Sequence, residues 1–239
     1  MDAIQEQFIR QLSEHQLNVS DAIDQFETYY RELVSWNEKM NLTGITDRDQ
    51  VYTKHFFDSL SLAFFVNMEK VESLADIGSG AGFPGIPLKI AFPHLQLTIA
   101  DSLSKRISFL QHVCDELGLK GVTLVHGRAE DIGRLPAHRD HYDLVTARAV
   151  ARMALLNEFC LPFARKGGEF AAMKGSDPME EVAEASFSLK ELRAELVKVE
   201  SFKLPVEESD RHIVLIRKNG GTPAKYPRKA GLPAKQPLL

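Results

Sequence analysis

Apolar residues recur at helical spacing from Met1 to about Glu14, at Ile4, Phe8, Ile9 and Leu12. Ser20 and Asp21 then supply an N-cap and a first-turn acid for a second helix. Its apolar face is Ile23, Phe26, Tyr30, Leu33 and Val34, and it ends near Trp36. Trp36-Asn37-Glu38-Lys39-Met40-Asn41-Leu42-Thr43-Gly44-Ile45 carries turn chemistry and reads as a loop. His55-Phe56-Phe57-Asp58-Ser59-Leu60 opens a third helix that runs to about Val66. The first 70 residues thus predict a helical cap.

From Glu72 the pattern changes. Short apolar runs at Ser73–Ile77, Gln96–Asp101, Val122–His126, 142–147 and 168–174 predict strands, with helical stretches 85–92, 104–117, 149–163 and 178–194 between them. Such alternation with short connections predicts an α/β fold, a mostly parallel sheet with helices on both faces. The runs 195–204 and 212–217 have only a polar loop between them and predict an antiparallel edge pair. From Asn219 the chain is Gly, Pro, Lys and Arg with few apolar residues, which predicts an extended or disordered tail. The chain divides on this reading into 1–70, a cap; 71–218, the α/β domain; and 219–239, a basic tail.

Charge changes the picture at one point. The formal net charge is −4, yet the 7 Lys and Arg of residues 211–239 face no acid in that stretch. An acidic body with a basic tail suits a polyanionic partner met through the tail, or a tail that merely solubilises. Cys114 and Cys160 have no metal or disulfide spacing and lie in apolar helical patterns, as buried reduced thiols do. No run reaches the roughly 20 apolar residues of a membrane span, and residues 1–20 carry Asp2, Glu6 and Glu14 rather than a signal peptide. A cytoplasmic protein is expected, with no membrane partner, no metal, and nothing that demands more than a monomer.

The chemistry gathers where ligands bind in such sheets, outside the C-terminal strand ends. Ala75-Asp76-Ile77-Gly78-Ser79-Gly80-Ala81-Gly82-Phe83-Pro84-Gly85 is a strand end, a glycine turn and a helix start. It lets a ligand approach backbone amides at a helix N-terminus. Asp101 follows 21 residues after Gly80 and can accept from two ribose hydroxyls, or cap the next helix, or both. Gly127-Arg128-Ala129-Glu130-Asp131 can meet an adenine edge, or be a solvated turn. Arg148 ends the fourth strand and Lys174 the fifth.

An acid before Gly78-Ser-Gly80-Ala-Gly82, a second acid ending strand two and an acidic turn after strand three resemble the class I, Rossmann-like S-adenosylmethionine-dependent methyltransferases. A nicotinamide dinucleotide enzyme accounts for the turn and Asp101 but not for the other rim residues. W-N-x-x-M-N-L-T (36–43), H-F-F-D-S-L (55–60), D-I-G-S-G-A-G-F-P-G-I-P-L (76–88), D-S-x-x-K-R (101–106) and T-A-R-A (146–149) narrow the resemblance. Together they are similar to the small-subunit ribosomal RNA methyltransferase G family, also known as the glucose-inhibited division protein B family, over residues 20–218 and the Tyr226-Pro-Arg tail.

That resemblance implies S-adenosyl-L-methionine as cofactor and 16S rRNA of the 30S subunit as partner. It implies methylation at N7 of a guanine in the decoding-centre hairpin. The family's cofactor contacts fall on Gly78, Phe83, Ala129, Glu130 and Arg148, beside Asp76, Gly80, Gly82 and Asp101 of the motif itself. Guanine N7 has a free lone pair, so no general base is expected. The chain indeed lacks the Asn/Asp-Pro-Pro-aromatic motif of amino methylation and a strand-end cysteine. Arg148 is the expected positioning cation, its alternative being an ion pair with a nearby Asp. Lys39, Asn41, Thr43, His55, Lys174, Lys225, Tyr226, Arg228 and Lys229 are RNA-side candidates, with Lys235, Arg48, Lys54, Lys105 and Arg106 as additions. Trp36 and His55 can equally be core residues. If the tail clamps RNA, removing residues 219–239 raises the RNA KM and flattens its salt dependence. A small-molecule methyltransferase, or a cofactor-binding regulator without turnover, is the competing reading.

Overall fold

The computed structural model describes residues 1–239. Seven strands form one sheet in the order β3-β2-β1-β4-β5-β7-β6. They are β1 Ser73–Ile77, β2 Gln96–Asp101, β3 Val122–His126, β4 Tyr142–Arg148, β5 Ala164–Lys174, β6 Ala194–Lys203 and β7 Asp210–Lys218. The first five are parallel, and β7 runs antiparallel between β5 and β6. The chain reverses its order of winding between β1 and β4, so the crevice beyond those strand ends is the place for a ligand.

Period-2 alternation sends successive strand side chains to opposite faces. Leu74, Leu97, Ile99, Leu144, Ile213 and Leu215 join one core, while Ala75, Ala100, Val145, Phe170, Val214 and Ile216 join the other. The first core is completed by α5 (Gly85–Ala91) and α6 (Ser104–Glu116) and by the amino-terminal helices α1 (Ala3–Ser13), α2 (Ile23–Asn37), α3 (Arg48–Val51) and α4 (Asp58–Leu60). Residues 1–70 therefore pack into the same core as the sheet, with Phe8, Phe26 and Leu33 in one cluster with Leu74 and Leu97. The second core is covered by α7 (Ala129–Ile132), α8 (Met153–Cys160), α9 (Met179–Glu184) and α10 (Ser186–Glu191). Cys114 and Cys160 are free and buried, one in each core. Trp36 packs at 5.6 Å from Phe109 and 5.1 Å from His112. No helix is long and apolar enough to cross a membrane.

Ser20 caps no helix, since Ser20–Ala22 is a tight turn and α2 starts at Ile23 with no side-chain cap. The stretch 178–194 is two short helices, α9 and α10, that meet at Ala185. Beyond these, three larger expectations need correction. The helix expected from His55 begins at Arg48, because a π turn at Tyr52–Phe57 widens the helix. That turn buries Tyr52, Phe56 and Phe57 at a spacing that does not read as period 3.6. The stretch 149–163 is helical only over Met153–Cys160, since Ala149 takes φ 56° in the turn that leaves β4. The third correction is the tail, which is folded. Arg139 donates to the carbonyls of Thr222, Pro223 and Tyr226. Asp140 accepts from Thr222 and from the buried Lys218 ammonium. Tyr226 and Leu238 are buried in the second core, and the chain ends beyond a turn of helix, α11 (Leu232–Lys235). Composition predicts disorder when too few apolar residues are present; here, acids and carbonyls of the body satisfy the tail's polar groups instead.

Candidate active site

The glycine turn is held from below. Asp76, fully buried at the end of β1, accepts through Oδ2 from Ser79 Oγ at 2.6 Å and from the Gly85 amide at 2.7 Å. A Cβ on Gly85 would lie 2.8 Å from that oxygen, so glycine is what lets the two segments meet. Burial outweighs both hydrogen bonds and pushes the Asp76 carboxyl up to about 6, and its Oδ1 has no partner. Asp101 Oδ2 accepts from the Gly80 amide at 3.0 Å and Oδ1 from the Leu103 amide at 2.9 Å, so this one carboxylate braces the turn and opens α6. From the cap, Tyr29 Oη donates to the Ala81 carbonyl.

Above the turn lies a cavity of about 300 Å³, lined among others by Gly78, Asp101, Ala129, Glu130, Val150 and Phe159. Gly78 sits at φ 73°, and a Cβ there would meet Val150 Cγ2 at 3.0 Å, so a side chain would strain the turn and crowd the floor. Five of the residues singled out in the sequence thus line one space: Gly78, Asp101, Ala129, Glu130 and Arg106, the last paired with Asp101 at 3.3 Å. Asp76, Gly80, Gly82, Phe83 and Arg148 do not. Asp76 points inward, and Phe83 is stacked between His55 at 4.5 Å and Tyr29 at 5.4 Å. Both support the turn that the cavity is built on.

A second cavity of about 280 Å³ adjoins the first, and Ala149 lines both. Its walls include Lys54, His55, Asp58, Arg148, Lys174 and Arg211. Arg148 Nη1 donates to Asp58 Oδ2 at 2.8 Å and to the Lys54 carbonyl at 3.1 Å, and its guanidinium lies 5.0 Å over the Phe83 ring. Arg211 reaches the other oxygen of Asp58 at 3.3 Å. Arg148 does pair with an aspartate, and yet it still faces the space beside the first cavity. Asp58 is the only carboxylate in this wall, and it is shared by two guanidiniums.

His55 carries the remaining hydrogen bonds. Its Nδ1 lies 3.3 Å from Arg148 Nη2 and its Nε2 lies 2.9 Å from Thr43 Oγ1. A guanidinium can only donate, so Nδ1 accepts and the Nε2–H donates to Thr43. Burial and the Arg148 charge hold His55 down to about 3, so the ring is neutral. Thr43 is placed by Asn37, whose Oδ1 accepts from the Leu42 and Thr43 amides at 2.6 and 2.9 Å. The Asn and Thr of the first motif and the His of the second are thereby one network.

The other RNA-side candidates divide. Lys39 and Asn41 are exposed and share a hollow of about 300 Å³ with Lys105 and Arg106. Lys174 is tied to Glu181 at 2.8 Å, and Arg48 to Asp2 and Glu27. In the tail, Lys225 and Tyr226 both donate to Glu191 and Arg228 grips Glu158, while Lys229 and Lys235 are exposed without an ion pair. Tyr226 is buried and has no free face on which a base could stack. Sequence reasoning missed Asp58, Val150, Phe159 and Arg211. Asp58 lies in the H-F-F-D-S-L motif, which was a signal, but Arg211 enters from β7 with no local mark.

The family model for rRNA small subunit methyltransferase G matches residues 22–214. "Ribosomal RNA small subunit methyltransferase G" of Halalkalibacterium halodurans is 54% identical over 97% of this chain and 98% of its own. The protein of the same name in Brevibacillus brevis is 55% identical over 98% and 99%. Among solved structures, an S-adenosylmethionine-dependent O-methyltransferase from Thermotoga maritima aligns with TM-score 0.53 at 19% identity, over 80% of this chain and 72% of its own. TrmN from Thermus thermophilus aligns with TM-score 0.52 at 13% identity, over 70% and 53%. These two structures share the fold expected from the strand–helix alternation, the mostly parallel methyltransferase sheet. The chain belongs to the rRNA small subunit methyltransferase G family.

Proposed function

We propose that this protein transfers the methyl group of S-adenosyl-L-methionine to N7 of a guanine in the decoding-centre hairpin of 16S rRNA, in the cytoplasm, with the 30S subunit as its partner. The cavity over the glycine turn fits the cofactor. Asp101 offers carboxylate oxygens to ribose hydroxyls, Val150, Ile77 and Phe159 give apolar walls for a purine, and Glu130 stands at the far end as a hydrogen-bond acceptor. Bound there, the cofactor supplies an electrophilic methyl on a sulfonium whose leaving group is a neutral thioether. The second cavity then takes the target base, and the passage beside Ala149 is the route between the two.

What carries this reading is the make-up of the second cavity. Its one carboxylate is held by Arg148 and Arg211, and its His55 accepts from Arg148 at Nδ1 while Nε2 donates to Thr43. Neither is available as a proton acceptor. The wall's other imidazole, His212, has a buried Nδ1 with no hydrogen-bond partner, but the N7 lone pair, unlike a nucleophile that must lose a proton, needs no acceptor at all. Arg148 can donate to the base edge or stack on its face, which makes it a positioning residue for the transfer. Lys39, Asn41 and Lys105 line the outer hollow in which the flanking phosphates lie, with Arg106, paired with Asp101 at 3.3 Å, between it and the first cavity. Lys174 and the tail cations are secondary in this arrangement, because carboxylates of the protein already occupy all of them except Lys229 and Lys235.

The test is transfer of labelled methyl to unmethylated 30S subunits and to naked 16S rRNA, with nuclease mapping. Label at a guanine N7 is expected. Label at an exocyclic amine or a ring carbon, or none on either RNA, overturns the proposal.

A further inference from the structure

The tail touches the cofactor cavity's wall at two points. Glu158 is wholly buried in α8, and Arg228 supplies every hydrogen bond its carboxylate receives. The Arg228 amide and Nε donate to Oε1 at 2.7 and 2.9 Å, and Nη2 donates to Oε2 at 2.6 Å. The next residue in the helix, Phe159, lines the cavity. At the second point the Gly231 amide donates to Glu130 Oε1 at 2.9 Å, across 101 residues of sequence. Glu130 is itself a cavity wall, 3% exposed, and its Oε2 makes no hydrogen bond to the protein. Gly231 at φ 84° lets the chain turn its amide inward there, and Arg228 Nη2 also donates to the Gln236 carbonyl at 2.7 Å, closing the tail over its own anchor.

We infer that the carboxy-terminal tail is a strap that shapes the cofactor pocket, with Arg228 and the Gly231 amide as positioning groups. Arg228 fixes the end of α8 that presents Phe159. Gly231 holds one oxygen of Glu130 and so aims the other at the ligand. A buried carboxylate left without its arginine must move, protonate or admit water, and any of these displaces Phe159. A carboxylate without its amide rotates freely and no longer presents a fixed acceptor. The strap acts on the cofactor, not on RNA, which separates it from the clamp that the basic composition suggests.

This inference rests on S-adenosylmethionine being the ligand, so the experiment starts with titration calorimetry of the intact protein. Failure of the intact protein to bind the cofactor overturns the functional reading itself. With binding present, Arg228→Ala and a chain ending at Ala230 are each expected to weaken the cofactor Kd by roughly tenfold. Arg228→Lys recovers part of the loss. The KM for RNA at saturating cofactor stays within about twofold, the spread expected of groups that never meet the RNA. Hydrogen exchange in the cofactor-free proteins adds a readout that needs no turnover, with faster exchange expected over 129–133 in the shortened chain. Lys229→Ala with Lys235→Ala, both exposed and unpaired, leaves the cofactor Kd unchanged. An unaltered cofactor Kd in the shortened chain, or a rise in RNA KM alone, overturns the strap. Should Arg228→Ala fail to fold, the shortened chain decides, since it keeps the Arg228–Glu158 bonds.

Discussion

The two cavities on either side of Ala149 are built by opposite means. The cofactor side rests at its base on a local device, in which Asp76 reaches Ser79 and Gly85 within nine residues and Asp101 ties the Leu103 amide to that of Gly80, 21 residues back. The base side has no local device. Arg148 meets Lys54, His55 and Asp58 across 90 to 94 residues, and Arg211 comes from the far side of the sheet. The first is shaped by backbone that must come close to a ligand. The second is a set of cations held by the protein's own carboxylates until something better paired arrives. The cavity proposed for the cofactor thus has a local base under walls drawn from several strand ends, whereas the cavity proposed for the target base is tied together by long-range pairs.

The largest effect expected to break this comparison comes from Asp58→Ala. It leaves Arg148 and Arg211 without their shared partner in a wall where Asp58 is only 6% exposed. Removing one member of a buried ion pair costs about 3–5 kcal/mol, which urea denaturation will show as a lower midpoint at unchanged slope. Transfer to RNA should fall with it, since Arg148 loses the bond that sets its direction. Cofactor affinity should stay within about threefold, or under 1 kcal/mol. A loss of cofactor binding as large as the loss of transfer would mean that the two cavities form one unit and not two.

The same division explains what is legible in the sequence. The strands, the antiparallel edge pair and the glycine turn can be read because each is encoded by neighbours, as are Asp101 and the Ala129–Glu130 turn. Asn37, Thr43 and His55 lie in conspicuous motifs, but their joint role is a contact between two loops and has no local sign. The family resemblance puts Phe83 among the cofactor contacts, while its ring packs on His55 and Tyr29, a placement that the motif does not signal. The tail misleads for a related reason. Its partners Asp140, Glu158 and Glu191 are spread along the body, so the tail's composition alone is no measure of how many bonds it makes.

A prediction of intermediate size uses pH, because the two sides carry opposite signs. Asp76 is raised to about 6 in the folded protein by burial. Between about pH 4 and 6 the folded state therefore holds a proton that the unfolded chain has lost, and this group's contribution to stability declines as pH rises, by up to ~3 kcal/mol. His55 is lowered to about 3, so there the unfolded chain holds the extra proton and stability rises with pH until about 6.5. Asp76→Asn removes the first and leaves the second. Its stability relative to the unsubstituted protein should improve steadily from pH 4 to 6 and then level off, as followed by thermal unfolding in a pH series. A constant difference across that range would mean that Asp76 is already ionised at pH 4 and that the glycine turn rests on a full charge.

The smallest effect concerns the cations of the base side. The loop between β6 and β7 sets Glu207 Oε1 2.8 Å from Lys54 Nζ, at the edge of the second cavity. Glu207 is 40% exposed, so the pair is screened and contributes little to stability, about 0.2–1 kcal/mol. Its consequence is for the incoming RNA, whose phosphates must displace Glu207 to reach Lys54. Glu207→Gln keeps the side chain's shape and removes the competitor, so the RNA KM should fall about two- to threefold at low salt, with the gain fading as salt screens both phosphate and carboxylate. Lys54→Ala should move the KM the other way, and cofactor affinity should respond to neither. A KM that rises in Glu207→Gln would show that the carboxylate holds Lys54 in its working position. The base side would then be preorganised in the same sense as the glycine turn, and the contrast between the two cavities would be one of sequence distance alone.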